Sequence, residues 1–323
     1  MIRFLISRVL QSAGVMLVVG LIAFALFNYV GDPVNNMVGA AASADDRAQL
    51  REDLGLDRPF LLQYIDFVGR AVRGDFGLSY QYARPVIDIV AERLPATIEL
   101  SFAAVFLALA LGIPMGIYTG IHPRSALSRL FMSLSLVGIS LPTFFTGIIL
   151  IVVFAIILKW LPPFGRGDVV QIGWWSTGLL TFSGLKSLIL PAITLSLFQM
   201  TLIMRLVRSE MMEIMRADYI RFAMARGLSF SSIHFRHALK NTLVPVVTIT
   251  GLQMGSIIAF AVITETVFQW PGLGLLFIQA LSFGDIPVMA AYLVFVSLMF
   301  VLINLCVDLL YFLIDPRLRQ GKA

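Results

Sequence analysis

The chain has 323 residues, of which 59% are hydrophobic and only 13% charged, with a formal net charge of +5. A soluble domain carries about 25% charged residues, so this much apolar surface cannot be hidden in one globular core, and the composition reads as an integral membrane protein. The single cysteine, Cys306, excludes an internal disulfide and any Cys-based metal site; inside an apolar run it reads as a small packing residue.

Six runs are long enough to cross a bilayer, which takes about 20 residues. They fall near 9–30, 98–121, 131–158, 188–207, 243–265 and 288–313. The first follows Arg3 and Arg8 and is trailed by Ala42-Ser43-Ala44, a signal-peptide-like arrangement. The run is too long for a signal h-region and the small residues lie too far beyond it, so it reads as a retained anchor. Residues 31–97 then form one long polar segment. Within it 45–56 is charged and helix-like, broken by Asp57-Arg58-Pro59. Residues 61–74 are amphipathic, with Leu61, Ile65, Val68 and Val72 at helical spacing, so this stretch either lies on the membrane surface or packs on the bundle. RGDFGLS (73–79) reads as a Gly-rich turn.

The third run contains Gly138 and Pro142, which predict a tilt or kink. The loop at 159–187 carries Trp160, Trp174 and Trp175, as expected of an aromatic belt at an outer interface. The fourth run opens at Pro191, acceptable near a helix start. Between the fourth and fifth runs lies the only large inner loop, 205–242, with Arg221, Arg226, Arg236, His237 and Lys240. Its first part reads as a helix continuous with the fourth run and ending at Gly227, a C-cap candidate. Ser229 is positioned to cap a second helix that runs into the fifth span. Two helices joined at Gly227 make a compact knob. A lipid-binding helix needs a broad, bulky apolar face; the small Ala217, Ala223 and Ala225 suit insertion into a protein groove better, with lipid anchoring as the alternative.

Lysine and arginine set the orientation. With the N-terminus inside, the inner side holds 14 of them and the outer side 10, seven of these in the long 31–97 segment where the rule is weak. Over short loops and tails the comparison is 14 to 3, so six spans with both termini inside is self-consistent.

The chemistry of sites is sparse. No GxxxxGK[ST], HExxH or GxSxG occurs. His234 and His237 are three apart on one predicted helix, but no acidic or thiol ligand stands beside them, and two solvated loop residues is the simpler account. Ionisable groups deep in the spans are nearly missing: Glu99 and Glu265 sit near outer ends and Asp308 near the inner end. Self-powered transporters usually bury such groups at the midplane, so any energy for transport enters elsewhere.

The knob also carries a resemblance. DYIR-x-A-x-A-R-GL (218–228) followed by RHAL-x-N-x-L-x-P (236–245) resembles the cytoplasmic coupling loop of ABC-importer permeases of the dipeptide/oligopeptide/nickel class, and within it the first of two paralogous permease subunits. The more general family motif fits poorly: only Ala223, Gly227 and Leu239 match, and Arg221 stands where a glutamate is usual. Similar blocks run nearly end to end: GDP (31–33), LGLDRPFLLQY (54–64), GDFGLS (74–79), RLPATIELS (93–101), GISLPTFFTG (138–147), ETVFQWPGLG (265–274) and NLCVDLLYFLIDPRLR (304–319).

The resemblance implies an all-α polytopic membrane protein with six transmembrane helices and the type I ABC importer permease fold, with an outer (periplasmic) segment between helices 1 and 2. It implies an N-terminal helix at 1–30, a periplasmic segment at 31–97, a permease domain at 98–314 with its coupling loop at 208–242, and a cytoplasmic tail at 315–323. The expected setting is a bacterial or archaeal cytoplasmic membrane. The expected partners are a paralogous second permease, two P-loop ATPases and an extracytoplasmic solute-binding protein, with no nucleic acid. ATP and Mg would be used by the ATPases, and no cofactor or metal is expected on this chain, which would not itself be an enzyme. Asp218, Tyr219, Arg221, Ala223, Arg226, Gly227 and Leu228 are the expected ATPase contact. Ser140, Thr143, Thr146, Gln199, Thr201, Gln253, Ser256 and Asn304 are mildly polar candidates to line a path, a set that suits peptides read through their backbones and also admits nickel chelates, glutathione or oligosaccharides. Trp270, Pro271, Gly272 and Gly274 are candidates for outer docking or gating, although a belt tryptophan and a plain turn explain them equally well. A stand-alone secondary transporter remains the alternative class.

Overall fold

The computed structural model describes residues 2–29 and 58–314. The stretch 45–56, the Gly31-Asp32-Pro33 block and the tail 315–323 lie outside the described residues. Apart from one small hairpin, the regular structure of the described residues is helical. In order it forms α1 (Ile2–Tyr29), α2 (Phe60–Val72), α3 (Val86–Ile121), α4 (Ala126–Ser140) and α5 (Thr143–Leu150), the last continuing as a wide π-helix, π1 (Ile151–Ile157). Strands β1 (Val170–Ile172) and β2 (Trp175–Thr177) pair across a turn at Gly173, whose φ of 62° suits glycine. There follow α6 (Phe182–Ile214), α7 (Asp218–Ala225), π2 (Ser232–Ala238), α8 (Leu239–Val267), α9 (Leu273–Phe283) and α10 (Ile286–Ile314).

Among the described residues, four helices are long and apolar enough to cross a membrane alone: α1, α3, α6 and α10. Two bent pairs bring the number to six if each pair is one span. The first pair, α4 with α5–π1, turns by 113° at Leu141-Pro142, far more than the kink the sequence suggests. Proline removes a backbone donor and drives its predecessor out of the α region, and here Pro142 is itself extended, with ψ of 142°, as the residue that starts α5. The second pair bends by 49° between Gly251 and Gly255 of α8. Paired glycines are a usual cause of a sharp bend, and Gly251 is also where α8 meets Val307 too closely for any side chain.

Two helices begin well before the apolar runs that mark them. α3 starts at Val86 rather than near 98, because the helix continues past the hydrocarbon region through the charged turns of Glu92 and Arg93. α6 starts at Phe182, capped by the Thr181 hydroxyl, which accepts from Gly184 N at 3.0 Å. Pro191 is therefore inside α6 and not at its start.

The described chain divides into two compact units. The smaller holds α1, α2, the start of α3, α9 and most of α10. Its core joins Ala23 and Phe24 of α1, Phe67 of α2 and Ala290 of α10. The loop GDFGLS is the Gly-rich turn expected, with φ of 77° at Gly74 and 80° at Gly77. It is held by Asp285, the buried residue before α10, which accepts from Ser79 Oγ and from the backbone N–H groups of Tyr80 and Gln81. Burial and the neighbouring Asp285 carboxylate push the Tyr80 hydroxyl up to about 12.

The larger unit is built on α6, which packs most extensively against α8 and also against α4 and α5. Against it lies α3, through Gly112, Gly116 and Gly120. A Cβ added at Gly116 would stand 2.5 Å from Val207 Cβ and 2.8 Å from the Met204 carbonyl oxygen, so the two helices meet backbone to backbone. At one end of this unit the Glu99 carboxylate accepts from Arg166 at 2.6 Å, both side chains buried, and from Gly178 N at 3.4 Å. Cys306 is exposed on α10 rather than packed inside.

Candidate functional site

The insert between α6 and α8 folds as the compact knob the sequence suggests, but with differences in its helices and its surface. The helix is not continuous from α6: it stops at Ile214, and Ala217 turns extended, with ψ of 147°, before α7 begins at Asp218. In an unbroken helix Ile220 would lie about 180° around the axis from Met211. The break turns Ile220 and Ala223 inward, where they join Val207 and Met211 of α6, Ile233 and Ala238 of π2, and Ala108 and Ile117 of α3 in one buried cluster.

α7 ends as expected at Gly227, with φ of 75°. The N–H groups of Gly227 and Leu228 bond back to the carbonyls of Met224 and Ala223, the paired pattern of a left-handed helix stop. Ser229 caps the next helix, its hydroxyl accepting from Ser232 N at 3.4 Å. That helix runs as wide π turns over 232–238 before tightening into α8, a feature the sequence does not announce. Asn241 Nδ2 donates to Tyr219 Oη at 2.8 Å, tying α7 to the root of α8. Thr242, fully buried, donates to the Ala238 carbonyl. The knob is thereby fused to α3, α6 and α8.

Its outer surface differs from the small-residue face expected. Ala223 is buried, and the exposed positions are bulky: Tyr219, Phe222 (65% exposed), Met224, Leu228, Phe230 (71%) and Phe235. Arg221, paired loosely with Asp218 at 3.6 Å, and Arg226, 5.8 Å from the Phe222 ring, frame this apolar surface. An exposed aromatic cluster rimmed by arginines has the composition of a protein interface. His234 lies partly covered on π2. Burial, and then the nearby His122, lower its pKa.

The other candidates separate. Gln199 (4% exposed) and Thr201 are buried between helices of the larger unit, Thr201 beside Gly138. Ser140 is exposed, and Thr143, Thr146, Gln253, Ser256 and Asn304 are half-buried. Trp270 is 1% exposed, so it does not belong to an aromatic belt; Trp160 and Trp174 are exposed as a belt requires. Gly272 and Gly274 are buried as well, leaving Pro271 as the half-exposed member of that block. Here Gln269 stops α8 with φ of 46°, Trp270 N returns to the Glu265 carbonyl at 2.8 Å, and Leu273 N, opening α9, donates to Thr97 Oγ1 at 2.8 Å. The RLPATIELS and WPGLG blocks, far apart in sequence, are thus joined by a buried hydrogen bond. The glycine stripe of α3 escaped the motif reading, although Gly112-x3-Gly116-x3-Gly120 was there to be seen.

A multi-pass helical fold with a rigid knob fused to three of its helices is the architecture of a membrane transport subunit. Residues 112–320 match the family described as binding-protein-dependent transport system inner membrane component, and residues 1–101 match its N-terminal membrane component model. The chain belongs to this family. It is a permease subunit and not an enzyme. It is 36% identical to the dipeptide transport system permease protein DppB of Alkalihalophilus pseudofirmus, over 99% of this chain and 100% of that protein. It is 39% identical to the di/tripeptide transport system permease protein DppB of Pseudomonas aeruginosa, over 94% and 95%, and 35% identical to DppB of Escherichia coli K12, over the whole of both. Among solved structures, the inward-facing MetNI methionine ABC transporter (native crystal form) matches with a TM-score of 0.55 at 18% identity, over 68% of this chain and 93% of that one, a likeness of fold.

Proposed function

We propose that this chain forms half of the translocation path of an ATP-driven importer for di- and oligopeptides, and that the knob at 218–228 couples it to partner ATPases. The observation that carries the reading is the knob itself: an exposed aromatic surface rimmed by Arg221 and Arg226 on a base fused to α3, α6 and α8. A push on such a surface passes to the spans without any chemistry in this chain. The solute class is supported by the names of the relatives; nickel chelates, glutathione or oligosaccharides would use the same machinery.

In this reading a paralogous permease supplies the other half, two P-loop ATPases consume ATP and Mg beneath, and an outer binding protein delivers the solute. Both termini lie in the cytoplasm, a placement that the 14 to 3 distribution of Lys and Arg supports. The permease domain proper is 98–314, preceded by the anchor at 1–30 and the periplasmic segment 31–97. Ser140, Thr143, Gln253, Ser256 and Asn304 are accessible enough to line the path; Gln199 reaches it only if the helices around it part. WPGLG serves as a buried elbow that gates, since only Pro271 of that block is open to a docking protein.

The test is to purify the tagged chain from its native host in mild detergent and identify its companions. A second permease and one or two P-loop ATPases are expected. Gly227 has nothing within 4 Å of an added Cβ but sits at φ of 75°, so Gly227→Ala and Gly227→Trp share the backbone strain and differ in bulk at the interface. Loss of ATPases and uptake in Gly227→Trp, with both retained in Gly227→Ala, supports the coupling role. A chain that stays alone and transports in liposomes without ATP sinks the proposal.

A further inference from the structure

α2 has three faces rather than two. At about 100° per residue, Tyr64, Phe67 and Ala71 share one stripe, Leu61, Ile65 and Val72 the next, and Gln63, Asp66 and Arg70 the third. The first stripe is the protein contact: Phe67 is in the core of the smaller unit, and the ring centroids of Tyr64 and Phe67 lie 5.8 and 5.6 Å from that of Phe24 in α1. The third is charged and exposed, with Asp66 paired to Arg58 at 3.4 Å and Arg73 following at the helix end. The middle stripe has no place in either role. Leu61 is 66%, Ile65 56% and Val72 83% exposed, yet all are large aliphatic residues.

The depth of the helix explains that stripe. Tyr64 Oη donates to the Leu17 carbonyl at 2.6 Å. Phe24, whose ring meets those of Phe60, Tyr64 and Phe67, stands six residues before the end of the first apolar run near residue 30, about 9 Å along a helix axis. This sets α2 below the edge of the run, within the band of about 5–10 Å where an interfacial helix sinks its apolar face, with the Tyr64 hydroxyl reaching deeper still.

We propose that α2 is an interfacial lipid-binding helix: its Leu61–Ile65–Val72 stripe lies in the acyl chains of the leaflet at the C-terminal end of α1, and Arg70 and Arg73 meet the phosphate headgroups above. The helix wedges between a membrane span and the leaflet, so lipid packing bears directly on the smaller unit. This assignment does not depend on which solute is carried.

Nitroxide labels test it. Leu61→Cys, Ile65→Cys, Asp66→Cys and Arg70→Cys, each in a Cys306→Ser background, are labelled in the full transporter in phosphatidylcholine–phosphatidylglycerol liposomes. Phe67→Cys serves as the buried control. At 61 and 65, collision with oxygen should exceed collision with a water-soluble nickel chelate several-fold, and the ratio should reverse at 66 and 70. Ready access of the nickel chelate to 61 and 65 would place the stripe in water and overturn the proposal. Low access of both reagents there, as at 67, would mean that protein covers the stripe, whether a second subunit or residues 30–57 of this chain, and would overturn it equally.

Discussion

Gly227 and Gln269 hold the same backbone position at the ends of different helices, and only one is the residue that position favours. Each takes a left-handed φ, 75° and 46°, and each is followed by a residue whose N–H returns to the helix. A side chain in that region costs on the order of 1 kcal/mol, which glycine avoids. Gly227→Ala should therefore lower stability by about 1 kcal/mol. Gln269→Gly should cost nothing or stabilise slightly, since it relieves the strain while giving up the Gln269 Nε2 bond to the Thr266 carbonyl. Thermal unfolding in detergent checks both; a loss in Gln269→Gly as large as in Gly227→Ala would mean that the left-handed geometry is not what matters at 269. His234 gives a second prediction at this scale. Its pKa is depressed in the fold by burial and by His122, so the fold favours the neutral ring. The stabilisation is complete above the ordinary histidine value of about 6.5 and is lost as pH falls through the lower folded value. Unfolding temperature should drop between pH 7.5 and pH 5.5 and drop less in His234→Gln. An equal drop in the two proteins would assign the acid sensitivity elsewhere.

At the scale of elements, the joint between α3 and α6 carries the knob, and it rests on three glycines. Gly116→Val would drive its side chain into Val207 and the Met204 carbonyl, and a backbone atom yields only if the whole helix shifts. Overpacking of this kind costs about 1–3 kcal/mol or more. Gly14→Ala on α1 is the natural control: nothing lies within 4 Å of its added Cβ, so the change should be neutral or slightly stabilising by helix propensity. Thermal stability in detergent should separate the two variants, and similar behaviour would mean that α3 and α6 do not pack this closely. The same joint shows what the sequence discloses and what it withholds. Helix stops and caps are written locally, so Gly227 and Ser229 were legible. Pro142 marked the place of the α4–α5 break but not its size, because proline says where a helix ends and not where the next one points. The burial of Trp270 and the inward turn of Ala223 were not legible, since burial depends on packing partners distant in sequence. α6 began before its apolar run because hydropathy marks the hydrocarbon region, not the helix, and it stopped short of Gly227 because the chain turns extended at Ala217.

At the scale of the whole molecule, the 113° turn between α4 and α5 bears directly on how many times the chain crosses. Each arm, Ala126–Ser140 and Thr143–Ile157, has 15 residues, about 22 Å of helix, against a hydrocarbon core of about 30 Å. Neither arm crosses alone, so the pair either crosses as one broken span or enters and returns. The two outcomes reverse the sides of everything between α5 and α8. If the pair crosses, Arg124 and the knob share one side, and the β1–β2 hairpin lies on the other. If both bent pairs return, Arg124 and the hairpin share a side and the knob is opposite. The charge distribution favours crossing, because Arg205, Arg208, Arg216, Arg221, Arg226 and Arg236 would otherwise sit across the membrane from Arg3, Arg8, Arg124 and Arg129. Arg124→Cys, Trp174→Cys and Leu228→Cys, each exposed and each in a Cys306→Ser background, should react with a membrane-impermeant maleimide in a pattern that decides it. In intact cells 174 should label while 124 and 228 label only after permeabilisation. If 124 and 174 behave alike and 228 differs, the bent pairs are re-entrant, the described residues hold four spans, and the knob faces the side where no cytoplasmic ATPase could reach it.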